Sequence, residues 1–233
     1  MSVQRAKKKN LLKKPPARRS NYHHGNLRDA LIEATLHLIK QSSPEKVTVR
    51  EASRQAGVSS GAPFRHFPNR TALMTAVAEQ AMQRLRTEIM GALAETEKED
   101  PLTRFTAIGK AYFRWVIHNP THFQVISNRS LIDFEGSESL CRDNEQIRAW
   151  MEGLLLEAQR QGMLRCDDLT HIQLAGRALV YGLARMYLDG HFTQWDVAED
   201  KAESAMQTVL DLFIDSLSDE KKIPVGRKTK TQT

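Results

Sequence analysis

Residues Thr48–Arg70 read TVREASRQAGVSSGAPFRHFPNR, and the local chemistry of this stretch decides the fold around it. Thr48 stands where an N-cap belongs, and Glu51 follows three residues later. That spacing lets a hydroxyl and a carboxylate satisfy orphan backbone donors reciprocally at a helix start. Val49, Ala52 and Ala56 recur at spacings of three and four and form one buried stripe, with Arg50, Arg54 and Gln55 facing outward. Gly57 supplies the positive φ on which helices commonly end. Val58 plugs the corner, Ser59 or Ser60 offers the next N-cap, and Pro63 falls in the first turn of a second helix. Pro68 stops that helix near Phe67. Two short helices joined by a tight turn, the second opening on small polar residues and closing on an aromatic-basic end, make a helix-turn-helix. Sequence-specific DNA binding is the leading expectation.

The charge distribution agrees. Residues 1–70 carry 15 lysines and arginines against 4 acids, whereas the remainder carries 19 against 24, within a net charge of +6 over 233 residues. A basic amino-terminal third attracts polyanions, because neutralised phosphates release condensed counterions. Lys7–Arg19 is either a solvated tail or a phosphate and minor-groove contact, and on either reading it specifies no sequence. The stretch Lys7–Lys14 lacks the apolar region and cleavage site of a secretory signal, and no apolar run reaches the length of a membrane span, so a cytoplasmic protein without membrane contact is expected. Cys141 and Cys166 fit no ligand spacing and read as reduced and structural, with redox sensing as the alternative. His23 and His24 have no third ligand, so no metal is expected, nor any cofactor.

The rest of the chain is read as all-α, with no alternating β-branched run to suggest strands. A first helix is expected from about Asn26 to Gln41, with Leu27, Leu31, Ala34 and Leu38 on one face. A long fourth helix runs from about Arg70 into the nineties on Leu73, Val77, Ala81 and Leu85. Phe105, Ile108, Tyr112 and Trp115 mark a fifth, and Pro120 to about Ser127 a short sixth. Ile147, Met151, Leu154 and Ala158 mark a seventh ended by Gly162 and preceded by a loop over Asp133–Ser139. Ile172 to Met186 forms an eighth and Ala202 to Leu217 a ninth, about nine in all. Small residues on the last two, among them Ala175, Gly176, Ala178, Gly182, Ala202 and Ala205, permit close helix approach, as an interface or as an internal contact.

The segments YHHGNLRDALIEATLHLI and VTVREASRQAGVSSGAPFRHFPNRTALMTAV resemble the amino-terminal domain of the tetracycline-repressor (TetR) family, over Gly25 to about Leu85. The resemblance implies a three-helix DNA-binding head at 25–85 with its motif at 48–67, joined by a long helix to a helical effector-binding and dimerisation domain at 86–218. A basic disordered tail at 1–24 and a frayed basic end at 219–233 flank them. It also implies a homodimer whose last two helices form a four-helix bundle with those of a second subunit, which suits two half-sites one DNA turn apart. By the family's habit, the function is that of a repressor on a pseudo-palindromic double-stranded operator, released by a small-molecule effector.

Position by position, the resemblance places Thr48, Arg50, Ser59, Ser60, Gly61, Ala62, Phe64, Arg65, His66 and Arg70 against DNA. Arg50 and Arg65 can pair bidentately with guanine, Ser60, Gly61 and Ala62 meet bases or phosphate, and His66 and Arg70 position phosphates. The family usually has tyrosine where this chain has Phe64, which removes one phosphate-directed hydroxyl. Phe67 reads as core. In the carboxy-terminal half an aromatic stripe is ordinarily core packing, but the resemblance implies a ligand cavity whose movement shifts the fourth helix. Its candidate lining is Phe105, Tyr112, Trp115, Phe123, Trp150, Arg177 and Tyr181. The stretch AGRALVYGLARMYLDGHF resembles a subtype with a W-x-x-x-H-G pattern, with Arg177 and Tyr181 in the places of the tryptophan and histidine. Arg177 would favour an anionic effector if it faced the cavity, and otherwise serves a salt bridge. No glycine-rich phosphate loop, H-E-x-x-H or G-x-S-x-G points to an enzyme. The alternative to a regulator is an architectural or interaction protein using the helix-turn-helix as a packing module.

Overall fold

The computed structural model describes residues 27–59 and 61–218. The expectations for both tails, for the start at Asn26 and for Ser60 lie outside the described residues. Eight α-helices occur among those described: α1 (Leu27–Gln41), α2 (Val49–Gln55), α3 (Arg70–Glu95), α4 (Pro101–His118), α5 (Pro120–Ile126), α6 (Glu138–Arg160), α7 (Leu169–Leu188) and α8 (Ala202–Leu217). The architecture is all-α. The one helix fewer than expected is the second of the helix-turn-helix.

Helix starts follow from their caps. Asn69 Oδ1 accepts from Ala72 N at 2.8 Å to open α3. Asp100 Oδ1 accepts from Leu102 N and Thr103 N, each at 3.0 Å, with Pro101 as the first residue of α4. Such oxygens replace partners that the first turn of a helix lacks.

The 26-residue α3 organises the molecule. Leu73, Met74, Val77, Ala81, Leu85 and Ile89 are buried along it, and it packs against α1 at its amino-terminal end and against α4, α5 and α6 further along. Head and body therefore share one continuous apolar core, and the boundary expected between residues 85 and 86 falls inside this helix. Each large apolar side chain so buried contributes about 1.5–3 kcal/mol. The half-exposed ion pair Arg28–Glu79 at 2.9 Å adds about 0–1 kcal/mol, so packing positions the head.

In the body, α4 is the central helix, with Phe105, Ile108, Tyr112, Phe113, Trp115 and Val116 all buried. Its approach to α8 depends on Gly109, where an added Cβ would lie 2.6 Å from Leu210 Cδ2. The small residues of α7 divide between two roles. Gly176 and Ala184 are buried, Gly176 with Phe105 and Phe213 against it, whereas Ala175 and Ala178 are exposed.

Candidate nucleic-acid interface and body cavity

The first half of the helix-turn-helix forms as its sequence dictates. Glu51 N donates to Thr48 Oγ1 at 3.2 Å, and Thr48 N donates to Glu51 Oε2 at 3.0 Å, a complete capping box. Val49, Ala52 and Ser53 are buried, with Ala56 and Val58 packed on the core. At the other end Gly57 has φ +69°, Gly57 N donates to Arg54 O and Val58 N to Ser53 O. This paired pattern closes a helix through a left-handed residue.

The second half departs from the expectation of a helix to Phe67. It is a single 3-10 turn at Pro63–Arg65. Pro63 has no N–H to offer the Ser59 carbonyl, which accepts from Ala62 N instead; Arg65 N then bonds Ala62 O and His66 N bonds Pro63 O, all three residues back. A proline flanked by Gly61 in so short a stretch favours the tighter winding. The segment nevertheless keeps its inner and outer sides. Pro63 and Phe67 are buried, and Arg28 lies over the Phe67 ring at 5.9 Å. Ser59, Gly61, Phe64, Arg65 and His66 are exposed, as are Thr48 and Arg50 on α2, with Ala62 half-buried. Arg54, which carries no assigned role in the sequence reading, is exposed on α2 as well.

Arg70, for which a phosphate contact is expected, is engaged with the backbone. Its Nε donates to Val47 O at 2.9 Å and its Nη2 to Pro44 O at 2.8 Å. These bonds tie the α1–α2 connection to the start of α3, and they turn the guanidinium inward to backbone carbonyls.

In the body, a cavity of about 50 Å³ lies between α3, α4, α5, α6 and α7. Five of the seven residues expected to line it do so: Tyr112, Trp115, Phe123, Arg177 and Tyr181. Their rings form a cluster, with Tyr112 and Trp115 centroids 5.9 Å apart, Phe123 edge-on to Tyr112 at 6.4 Å, and Phe123 to Tyr181 at 5.8 Å. Phe105 and Trp150 lie away from this cavity. Phe105 points to the α4–α7 contact at Gly176, and Trp150 borders a separate surface groove with Leu93 and Arg104. The resemblance, not helical spacing, puts them with the other aromatics, and Trp150 is only half-buried on α6. The sequence reading missed Arg129 and Asn144, which also line the cavity. Arg129 sits in the connection after α5, where no periodicity marks an inward residue. Both places at which the chain departs from the W-x-x-x-H-G pattern, Arg177 and Tyr181, border this cavity. No ion pair engages Arg177 among the described residues, so the salt bridge weighed for it is not formed there.

Burial raises the pKa of the Tyr112 hydroxyl well above its ordinary value, the Tyr181 hydroxyl adding to the rise and the Arg177 charge opposing it. Tyr112 is therefore a neutral donor at any physiological pH. Cys141 is half-buried, with its thiol on Phe134 O at 3.4 Å, while Cys166 is exposed and packs no core. No helix among the described residues is long and apolar enough to cross a membrane.

Comparison with known proteins places this geometry. The model of the tetR family of bacterial regulatory proteins matches residues 31–77, and that of a tetracyclin repressor-like C-terminal domain matches residues 105–212, together more than half of the chain. Nucleoid occlusion factor SlmA of Idiomarina loihiensis is 23% identical over 174 residues, 73% of this chain and 83% of SlmA. A protein of unknown function from Rhodococcus sp. RHA1 superposes with a TM-score of 0.71 at 24% identity, covering 85% of this chain and 99% of that one. The TetR family transcriptional regulator PfmR of Thermus thermophilus superposes with a TM-score of 0.65 at 18% identity, covering 82% and 97%. With a capped α2, a glycine-closed turn and a 3-10 segment at the head and a matching helical domain behind them, the chain belongs to the tetracycline-repressor family of DNA-binding transcription regulators.

Proposed function

We propose that this regulator acts as a homodimer on a pseudo-palindromic operator, represses by occupying it, and leaves it when a small molecule enters the body cavity. The observation that carries the reading is the one-sided head. Thr48, Arg50, Ser59, Gly61, Phe64, Arg65 and His66 all face solvent, while Val49, Ala52 and Phe67 beneath them are core. In this reading Arg50 and Arg65 read base edges, and Thr48, Ser59 and His66, with Ser60 and the Gly61–Ala62 backbone, hold the phosphates. Arg70 serves indirectly, by fixing the position of α2 through Pro44 and Val47.

Pairing through α7 and α8 is supported by apolar side chains that a lone chain leaves in water. Leu174 is 64% exposed and Leu212 63%, and Ala175 and Ala178 lie exposed beside Leu174. Burying such positions against a symmetric copy follows from the hydrophobic effect.

Selection of bound fragments from random DNA with the full-length protein tests the reading. Inverted repeats with half-sites about one turn apart are expected; a pool without any enriched motif would overturn it. A second reading, favoured by the name that the SlmA relatives carry, is nucleoid occlusion. It predicts occupancy spread along the nucleoid.

A further inference from the structure

The body cavity has a lining that is out of electrostatic balance. Trp115 borders it, and its indole Nε1 is buried without a hydrogen-bond partner among the described residues. A buried N–H without a partner is uncommon in a folded protein, and it marks Trp115 as a donor that an acceptor beside it would satisfy. The other polar groups at the wall point to the same kind of partner. Arg177 and Arg129 can only donate, Asn144, Ser127, Tyr112 and Tyr181 can donate as well as accept, and no aspartate or glutamate borders the space among the described residues. Arg129 lies 3.4 Å above the Phe134 ring and comes no nearer than 3.9 Å to Glu135. Arg177 has no acidic partner among the described residues. Arg177 and Arg129, both exposed, and Trp115 thus border a space whose wall is otherwise mostly apolar, including Leu85, Phe123 and Ile147.

We propose that this cavity binds a small organic carboxylate, its head group accepting from Trp115 Nε1 and pairing with Arg177, and its apolar part lying against Phe123 and Tyr181. The inference rests on the effector-responsive reading above and names the chemical class of that effector. Size supports an organic acid with a compact head. A cavity of about 50 Å³ admits a carboxylate and a few carbons, whereas a benzene ring occupies an engineered cavity of about 150 Å³. A bulkier apolar part therefore extends past Tyr181, the member of the aromatic cluster that is 38% exposed. The bare inorganic anion leaves the apolar wall uncovered.

The test uses the full-length protein with Trp150→Phe and Trp195→Phe, which leaves Trp115 as its emitter. It is titrated with acetate, butyrate, benzoate and phenylacetate, with the amide of each, and with inorganic phosphate. A saturable change in Trp115 emission is expected for at least one acid, with its amide roughly tenfold weaker or more, as the loss of a charged hydrogen bond implies. Arg177→Met should bring that acid to the level of its amide, and phosphate should leave the emission unchanged. Equal binding of acid and amide, acid binding indifferent to Arg177→Met, or no response to any of the acids would overturn the inference. Recovery of an operator from random DNA is scored separately. Its failure overturns the regulator reading even where acids bind, and acids that bind without releasing operator remove the effector role while supporting the ligand class.

Discussion

At the scale of single residues, Gly57, Arg65 and Arg70 separate three kinds of contribution. Gly57 holds φ +69° with nothing within 4 Å of an added Cβ, so Gly57→Ala costs backbone strain alone, about 1–2 kcal/mol, read as a lowered urea midpoint. Arg65→Ala should relax discrimination at one base pair of the selected operator by about 1–3 kcal/mol without altering the melting temperature. Arg70→Ala behaves in the opposite way: losing two bonds to buried carbonyls destabilises the head by about 1–3 kcal/mol, and affinity falls for all sequences in step with unfolding. Calorimetry and titration of operator and scrambled DNA together distinguish the two arginine variants. The difference also marks what the sequence discloses. Thr48 and Glu51 are three apart, so their capping box is legible. Arg70 finds its acceptors 23 and 26 residues away, and no local pattern announces such a bond.

Among the elements, α3 and α4 are legible because each buries a stripe recurring every three to four residues. The turn at Pro63–Arg65 is not, because Pro63 fits a helix's first turn on paper, yet its missing N–H removes a bond that so short a helix needs. The α7 helix is ambiguous for another reason: small residues look alike whether they admit a neighbouring helix, as Gly176 does, or face outward, as Ala178 does. The joint of α5 with α3 carries a pH signature that sequence could not supply. His122 is buried and bonded to Gln80 Oε1 at 2.9 Å. Burial, helped by the charges of Arg84 on α3 and Lys40 on α1, lowers its pKa from 6.5 to about 4. Because the folded state resists protonation more than the unfolded chain, stability from this group is full above pH 6.5 and is lost as pH falls from there through 4. Urea unfolding should show a loss of about 1–2 kcal/mol over that window, and His122→Gln should flatten it. A wild-type stability that does not decline between pH 6.5 and 4.5 would contradict this account.

For the whole molecule, the prediction concerns assembly. Leu174→Asp combined with Leu212→Asp places charges on faces that the lone chain leaves bare, with the core beneath untouched. Sedimentation should then report monomers, and operator affinity should fall by about 100-fold or more as two linked half-site contacts become one. A dimer that survives both substitutions would move the interface elsewhere.

The unbroken run of α3 from Arg70 to Glu95 acts as a lever. At 1.5 Å per residue its 26 residues measure about 39 Å, so a tilt of about 10° pivoting at the far end sweeps the tip through roughly 7 Å. DNA repeats every 34 Å or so, and a slip of that size on each side is enough to carry two reading heads out of phase with their grooves. In the proposed effector response, a stiff rod would magnify a small adjustment beside Leu85 into mismatch at the double helix.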